Sequence, residues 1–398
     1  MANDYVANLL PRLYVGAQDV LREELPLLAR VSREDNWGLN AAMAVQKGQT
    51  AVINRPVPFG DPTDFTPSMT PPTPANMSLT STTVTVDQHK KVEFGVTQQE
   101  AVLYHEKNVI PNQFQEAMRS ITNQMAEYLF SFYTAISGQY GTAGTGAFAS
   151  NVNGLASVYE ILNRQRCPKD GRFCGISFAD ETAAKILADL KQAERLGDAG
   201  VIRGAMLGHI QGFDLFSDPF IPLHTSTYSL GGGVVTATAD TAIGAESINV
   251  TVTGGTGLIL AAGDPFTFSG NTAAPNQYTS TTAVSIGVGT GVITLNKPLE
   301  TAVAAAETLA EVTGNGTGKM NIAGNIRGFG MAFRTLPTVI EGGKTIGDHF
   351  GGVDDVSGAA ITISNIPGDG MTMFRVSTAY GGGVVQPNYL ARFATATT

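Results

Sequence analysis

The sequence predicts an α+β protein with a long internal helix and a small antiparallel β-barrel inserted into a larger domain. Two observations predict this architecture. Apolar residues recur at every third or fourth position between Ile110 and Ile136, which is the spacing of a buried helix face. From residue 225 to residue 319 the composition changes to short runs rich in Thr, Val and Ala between glycine turns, as in a small barrel.

The composition excludes several classes of protein. The 398 residues carry a formal net charge of −9 and no basic run, which argues against binding nucleic acid by neutralising phosphates. No apolar run approaches the roughly 18 residues of a membrane span. Asp4 and Arg12 lie where a secretory signal would be apolar, so we expect folding in the cytoplasm. Two cysteines are too few for a disulfide scaffold.

Residues 1–48 are predicted to form an arm. Four apolar residues between Val20 and Leu28 lie near one face of a helical segment that Pro26 interrupts. The segment has too little apolar surface to fold alone, so it needs another surface to lie on.

Residues 49–97 are predicted to form a long β-hairpin. In the returning arm, apolar residues occupy even positions from Val84 to Val96. Five prolines between Pro62 and Pro74 make the tip too stiff for a helix. A lone hairpin is marginal in water, so we expect it to rest on another subunit.

Residues 98–150 contain the long helix. Thr97 and Glu100 form a capping box that begins a short helix. Pro111 suits the first turn of the second helix, which is predicted over residues 111–136. Its stripe of aromatic residues and methionines is typical of a structural core rather than of a cofactor site.

Residues 151–224 alternate helix and strand. The segment "VNGLASVYEILNRQ" is predicted to be helical and "DGRFCGISF" a strand; a second helix is capped by Asp180, and "FDLFSDPFI" forms an extended exit. The barrel follows over residues 225–319, which contain eight charged residues. From residue 320 the α/β pattern returns and closes with the strands "TMFRVSTAY" and "PNYLARF".

Motifs of catalysis, cofactor binding and metal binding are incomplete. His105 and Glu106 begin a zinc-protease motif, but Val109 occupies the position of its second histidine. The phosphate-loop-like string "TGNGTGKM" places Met320 where Ser or Thr must bind magnesium. Cys167 and Cys174 are interpreted as reduced structural thiols. The pair Asp354-Asp355 suits either a cation or a solvated loop, and we predict no catalytic, cofactor or metal site.

The order of these parts resembles the major capsid protein of tailed bacteriophages, in its podovirus-type branch with an inserted I-domain. The segments that carry the resemblance are spread over almost the whole chain. They are "MANDYVANLLPRLYVGAQDVLREELPLLARVSRE", "TVTVDQHKKVEFGVTQQEAVLYHEK", "CPKDGRFCGISFADETAAKIL", "GHIQGFDLFSDPFIP", "GDPFTFSG" and "DGMTMFRVSTAYGGGVVQPNYLARF". The resemblance implies six parts: an N-terminal arm (1–48), an E-loop hairpin (49–97), the spine helix and P-domain (98–150), the first part of the A-domain (151–224), the I-domain (225–319) and the returning A- and P-domain strands (320–398).

The resemblance also implies a function and partners. Pentamers and hexamers of the subunit would build an icosahedral head around double-stranded DNA that is packaged without specific binding. A separate scaffolding protein and a portal protein are expected, with a decoration protein as an open question and no membrane. An acidic face of the arm (Asp19, Glu23 and Glu24) is the candidate scaffold contact, and a solvated face is the alternative. The alternative functions are an S-layer-like or surface β-rich binding protein and an enzyme with an unfamiliar site.

Overall fold

A computed structural model provides the fold. It describes residues 13–16, 18, 27–33, 50–56, 79–97, 100, 109–148, 152–187, 209–270, 276–312, 316–334, 340–341, 344–345, 348–354 and 358–397. The described α-helices are α1 (Val109–Ser131), α2 (Asn153–Arg164) and α3 (Phe178–Ile186). Short 3-10 helices span Leu28–Arg30, Phe132–Ala135 and Pro387–Tyr389.

The described strands, numbered in chain order, are β1 (Ser32–Arg33), β2 (Thr50–Pro56), β3 (Leu79–Thr85), β4 (Gln88–Thr97), β5 (Gly138–Tyr140), β6 (Arg172–Ile176), β7 (His209–Ile210), β8 (Phe213–Ser217), β9 (Leu223–Thr225), β10 (Val234–Ala237), β11 (Ser247–Thr253), β12 (Leu258–Leu260), β13 (Pro265–Phe268), β14 (Tyr278–Thr279), β15 (Val284–Ile286), β16 (Gly289–Thr294), β17 (Leu309–Glu311), β18 (Thr317–Asn325), β19 (Phe329–Arg334), β20 (Ile340–Glu341), β21 (Lys344–Thr345), β22 (Asp348–Val353), β23 (Ala360–Pro367), β24 (Met371–Val384) and β25 (Leu390–Ala394). Mixed sheets with few helices confirm the predicted α+β class.

The chain divides into two compact units. The first contains Met1–Val52, Thr83–Phe130 and Phe329–Gly383. The second contains Ile53–Thr82, Ser131–Gly328 and Val384–Thr398. Each unit draws on segments that are far apart in the sequence, so neither corresponds to one continuous stretch.

The first unit is built on a six-stranded sheet with the order β1-β19-β24-β23-β22, in which β4 also pairs with β24. Helix α1 packs on this sheet through aromatic rings. The ring of Phe114 lies 5.1 Å from that of Phe94 and 5.4 Å from that of Phe374. Farther along α1, the hydroxyl of Tyr128 donates to Asp87 and accepts the N–H of Gly382. The helix is therefore fixed to the sheet at both ends of its buried stripe.

The predicted hairpin over residues 49–97 needs a correction at its returning arm. Strands β2 and β3 form a two-stranded sheet, but the returning chain changes partner after Thr85. Strand β4 pairs with β24 over ten residues instead of continuing the hairpin. The even-position alternation is confirmed, since Val84, Val86 and Val96 are buried. The Pro-rich tip lies outside the described residues.

The long helix ends earlier than the predicted residue 136. Helix α1 stops at Ser131 and continues as one 3-10 turn, while its stripe is buried from Phe114 to Leu129. The carbonyls of the 3-10 turn are used by side chains: Thr134 O accepts from Thr279 and Ala135 O accepts from Asn296. Within this turn the N–H of Ile136 donates to the carbonyl of Tyr133, three residues back, which tightens the end of the helix. The capping box is confirmed, because Thr97 and Glu100 exchange backbone and side-chain hydrogen bonds.

The second unit is built on a seven-stranded sheet with the order β5-β25-β18-β6-β8-β7, to which β9 adds by pairing with β18. Helices α2 and α3 contribute Leu155, Leu162 and Ala184 to its core. The predicted cap of α3 was wrong, because the helix starts at Phe178 and Ser177 is its N-cap. The Ser177 hydroxyl accepts the N–H of Asp180, which is one turn inside the helix.

Residues 226–312, called the β-rich region below, form three small sheets. Their orders are β10-β11-β16, β12-β15 and β14-β13-β17. An isolated bridge joins Thr236 of β10 to Thr308 beside β17, and the three sheets enclose one apolar core around Val250 and Phe266. Where the chain enters and leaves this region, β9 and β18 pair antiparallel, with Thr225 opposite Thr317. The two ends of the β-rich region are thus held side by side.

The buried Asp218, which follows β8, predicts a pH effect on stability. Burial raises its pKa to about 6, against a weaker lowering by the N–H of Phe220. The folded state therefore binds a proton that the unfolded chain releases near pH 4, so stability rises as pH falls from about 6 to about 4. We predict that Asp218→Asn stabilises the protein at pH 7.5 by about 1–2 kcal/mol after allowance for solvent screening.

Thermal unfolding of both proteins between pH 4 and 8 tests this. The gain should vanish near the acid end of the range, and the exposed Asp369→Asn serves as a matched control without the gain. A stabilisation of equal size at every pH would contradict the role of ionisation.

Candidate functional site

Most positions singled out in the sequence do not form a site in the described structure. Asp19, Glu23 and Glu24 lie outside the described residues, as do His105 and Glu106. Among the described residues, no group of three or more His, Cys, Asp or Glu side chains could hold a metal ion. No helix in the described part of the chain combines the length and apolar character of a membrane span.

The two cysteines are buried free thiols. Burial raises the pKa of Cys167 and the pKa of Cys174, so neither thiol is activated as a nucleophile. Both belong to the core that α2 and α3 share with the seven-stranded sheet. This agrees with their interpretation as reduced structural residues.

The phosphate-loop-like string and the aspartate pair also lack a binding geometry. Lys319 lies in β18, opposite Leu223, so the string leads into a strand. A phosphate loop leads into a helix whose N-terminal N–H groups bind the phosphate. The side chain of Asp354 is buried, and Asp355 lies outside the described residues.

The strongest polar arrangement is a buried cluster between the β-rich region and the rest of the second unit. We call Tyr133, His224, Asp264 and Arg392 the polar junction. His224 lies in β9, and its Nδ1 is 3.2 Å from the hydroxyl of Tyr133. Its Nε2 is 2.9 Å from Asp264 Oδ1, and both side chains are almost completely buried. The junction therefore connects the 3-10 turn after α1, strand β9 and the residue directly before β13.

The carboxylate of Asp264 accepts several hydrogen bonds. Its Oδ2 accepts the N–H of Ala261 at 2.6 Å and the N–H of Thr227 at 3.2 Å. Burial by itself would raise the pKa of Asp264, but the hydrogen bonds from His224, Ser226 and Ala261 outweigh it and lower the pKa. The carboxylate is thus held ionised inside the protein.

Arg392 supplies the positive charge of the junction. It lies in β25, is fully buried, and donates to the carbonyls of Gly263 and Tyr133. Burial lowers its pKa to about 10, so it stays protonated at neutral pH. Gly263 has a φ of +88°, and a Cβ there would lie 2.9 Å from the backbone of Thr134. The close approach of these two segments therefore requires glycine.

The junction is suited to holding segments together rather than to catalysis. Both nitrogens of His224 are engaged, and its side chain is 3% exposed, so no substrate can reach it. A separate open groove of about 560 Å³ is lined by Gln139, Tyr140, Gly141, Thr142, Thr267, Gln277, Ala310, Glu311 and Val312. That lining contains no pairing of a nucleophile with a general base.

One outer face of the β-rich region carries no charge. The sheet β10-β11-β16 contains no charged residue, and its outward positions are mainly threonine, asparagine and valine. Val234 and Val292 are 51% and 57% exposed on this sheet. Another protein surface could therefore cover this face without burying a charge.

Sequence reasoning missed the polar junction. His224 is separated from Asp264 by forty residues, so no short motif contains both. No local periodicity connects these positions, because only the folded chain brings them together. The available signal in the sequence is the pair Gly263-Asp264 before "PFTF", which indicates a turn directly before a strand.

Comparisons with known proteins give structural likenesses at low sequence identity. No protein-family model and no curated protein sequence matches the chain. A structure from Mycobacterium phage Che8 is 13% identical with a TM-score of 0.46, covering 93% of this chain and 90% of that chain. The capsid of cyanophage P-SCSP1u is 9% identical with a TM-score of 0.47, covering 89% and 86%. A virus-like particle from Pyrococcus furiosus is 9% identical with a TM-score of 0.43, covering 97% and 99%.

The geometry of the junction predicts a large effect of Asp264→Asn. Oδ2 accepts two main-chain N–H groups and Oδ1 lies against His224, so an amide would remove the charge and keep only one accepting oxygen. We expect a loss of about 3 kcal/mol in the free energy of unfolding at pH 7. Because the pKa of Asp264 is lowered in the folded state, its contribution is lost as pH falls below about 4, and the difference should shrink there.

Denaturant unfolding at pH 7 and in acid measures this difference. Asp240→Asn is the matched control, because Asp240 is exposed and accepts one N–H, from Ala305. That variant should lose less than about 1 kcal/mol. Equal losses in the two variants would show that the junction has no special weight.

Proposed function

We propose that this chain is the major capsid protein of a tailed bacteriophage, assembling through pentamers and hexamers into an icosahedral head around double-stranded DNA. The observation that carries the proposal is the order of parts. A paired β2–β3 extension precedes the long helix α1, a sheet domain with a β-rich excursion follows, and returning strands close the chain. This order supports the sequence resemblance, which extends over almost the whole chain.

The surface chemistry supports the same function. A closed shell uses heterologous contacts, in which each patch meets a different patch of a neighbour. The β2–β3 extension offers backbone pairing groups, and the uncharged outer face of β10-β11-β16 offers apolar area. The net charge of −9 keeps the subunits from adhering to packaged DNA, which suits enclosure without specific binding. The role is structural rather than enzymatic.

The proposal includes partners and a location. Assembly takes place in the bacterial host cytoplasm and the product is the virion head, with no membrane involved. A separate scaffolding protein acts during assembly, and its contact on this chain is the acidic face at Asp19, Glu23 and Glu24. A portal protein occupies one vertex. The residue divisions given by the resemblance, including the I-domain at 225–319, belong to the same proposal.

Electron microscopy of the protein expressed with its scaffolding partner tests the function. We expect closed shells, and we expect a variant with residues 57–78 replaced by a short turn to give none. The reason is that the shortened extension cannot overlap a neighbouring subunit. The variant should keep the melting temperature of the unassembled subunit, which controls for folding. Flat two-dimensional lattices would favour a surface-layer protein, and dispersed monomers would contradict assembly altogether.

The shell is also expected to lack covalent bonds between subunits. The chain has no lysine between Lys47 and Lys90, so the extension and its tip offer no amine to a neighbour. Arg55 is no substitute, because its guanidinium stays protonated. Particles boiled in denaturing detergent should therefore release one band near the 41.7 kDa of the chain. A ladder of covalent oligomers on the gel would be the opposing result.

A further inference from the structure

Lys297 is buried where the β-rich region meets the C-terminal strand of the second unit. It is 3% exposed and follows β16 by three residues. Its Nζ donates to Asn388 Oδ1 at 2.8 Å, and Nζ lies 5.4 Å from the ring centroid of Tyr278. Asn388 belongs to the 3-10 turn Pro387–Tyr389, directly before β25. An amine and a carboxamide that are 91 residues apart are therefore in direct contact.

A carboxylate completes this arrangement. The Nδ2 of Asn388 donates to Glu300 Oε1, and the main-chain N–H of Glu300 is bound by the hydroxyl of Tyr278 at 3.0 Å. The oxygen of the Asn388 amide accepts from an amine and its nitrogen donates to a carboxylate, which fixes the orientation of the amide. The amide carbon lies one C=O bond beyond Oδ1, so it is within about 4 Å of the lysine nitrogen.

The surroundings favour a reactive amine. Burial lowers the pKa of Lys297 to about 8, although Glu300 acts in the opposite direction. A lysine with that pKa is roughly one-tenth neutral at pH 7, against well under one-hundredth for an exposed lysine. The neutral amine is the nucleophilic form. Glu300 and Asn388 are half-buried, so a small product can leave.

We propose that Lys297 and Asn388 join in an intramolecular isopeptide bond, with Glu300 transferring the protons. In this reaction Glu300 first takes a proton from the lysine ammonium. The Nζ then bonds to Cγ of Asn388, and the bond from Cγ to Nδ2 breaks. Nδ2 receives the proton back from Glu300 and leaves as ammonia, which takes up the remaining proton of the amine. No oxidant, reductant or metal is needed, and the product is an amide between two side chains.

The bond would act within one subunit. It would connect the loop after β16 to the turn before β25, and so close a covalent loop across the boundary of the β-rich region. A cross-link of this kind restricts the unfolded chain and stabilises the folded state. Because both residues belong to one chain, a denaturing gel still shows a single subunit band. The bond does not depend on shell assembly. A mass measurement on the single chain detects it whether or not shells form.

Intact-mass spectrometry of the purified, denatured full chain tests the proposal. We expect a mass lower than that of the sequence by one molecule of ammonia. Combined digestion with trypsin and chymotrypsin should release a branched peptide joining the segment around Lys297 to the segment around Asn388. A wild-type chain of full mass, with both segments recovered as separate linear peptides after prolonged incubation, would overturn the proposal.

Variants separate this bond from other losses of ammonia. Lys297→Arg keeps the charge and a donor but has no attacking amine, and Asn388→Ala removes the acyl group, so both should show their full calculated mass. A succinimide formed at an Asn-Gly pair would persist in both variants and contradict our assignment. Glu300→Gln keeps the size of the side chain and should slow bond formation at least tenfold. Formation at the wild-type rate would overturn the role given to Glu300.

Discussion

The buried guanidinium of Arg392 is the interaction on which the arrangement of the second unit depends. It reaches from β25 to the carbonyl of Gly263 in the β-rich region and to the carbonyl of Tyr133 after α1. An isolated charge in a protein interior is very costly, so this one persists because both terminal nitrogens of the guanidinium have carbonyl acceptors and the Asp264 charge is nearby. The hydrogen bonds of one side chain thus position three distant segments.

The ladder of β9 with β18 makes this arrangement possible. It places His224 beside the point where the chain returns from the β-rich region, and His224 then bonds Tyr133 on one side and Asp264 on the other. An apolar contact of the same area would tolerate sliding, because dispersion and burial have little directional preference. Hydrogen bonds to buried groups are directional and costly to leave unmade. The polar junction therefore sets the orientation of the β-rich region. The apolar core inside the β-rich region sets the stability of that region.

Local patterns in the sequence predicted the elements, and long-range pairing determined what the patterns could not. The stripe of α1 and the alternation from Val84 to Val96 are periodic, so they were visible. The same alternation continues through Val86 and Asp87, where the chain changes its partner strand, and a period of two contains no information about the partner. Ser177 and Asp180 are both good capping residues three positions apart, and only the backbone geometry shows which of them starts the helix. The polar junction and the contact of Lys297 with Asn388 consist of residues that are far apart in sequence and became visible only with the fold.

Charged groups are distributed unevenly between the interior of the second unit and one of its outer faces. Inside the unit, Arg392, Asp264 and Lys297 are buried and hydrogen-bonded, so each fixes one geometry. On the outer face of β10-β11-β16 no charge is present, so another surface could cover this face without burying a charge. The directional interactions of the second unit therefore lie in its interior, where the buried polar groups and the proposed bond between Lys297 and Asn388 each specify one geometry.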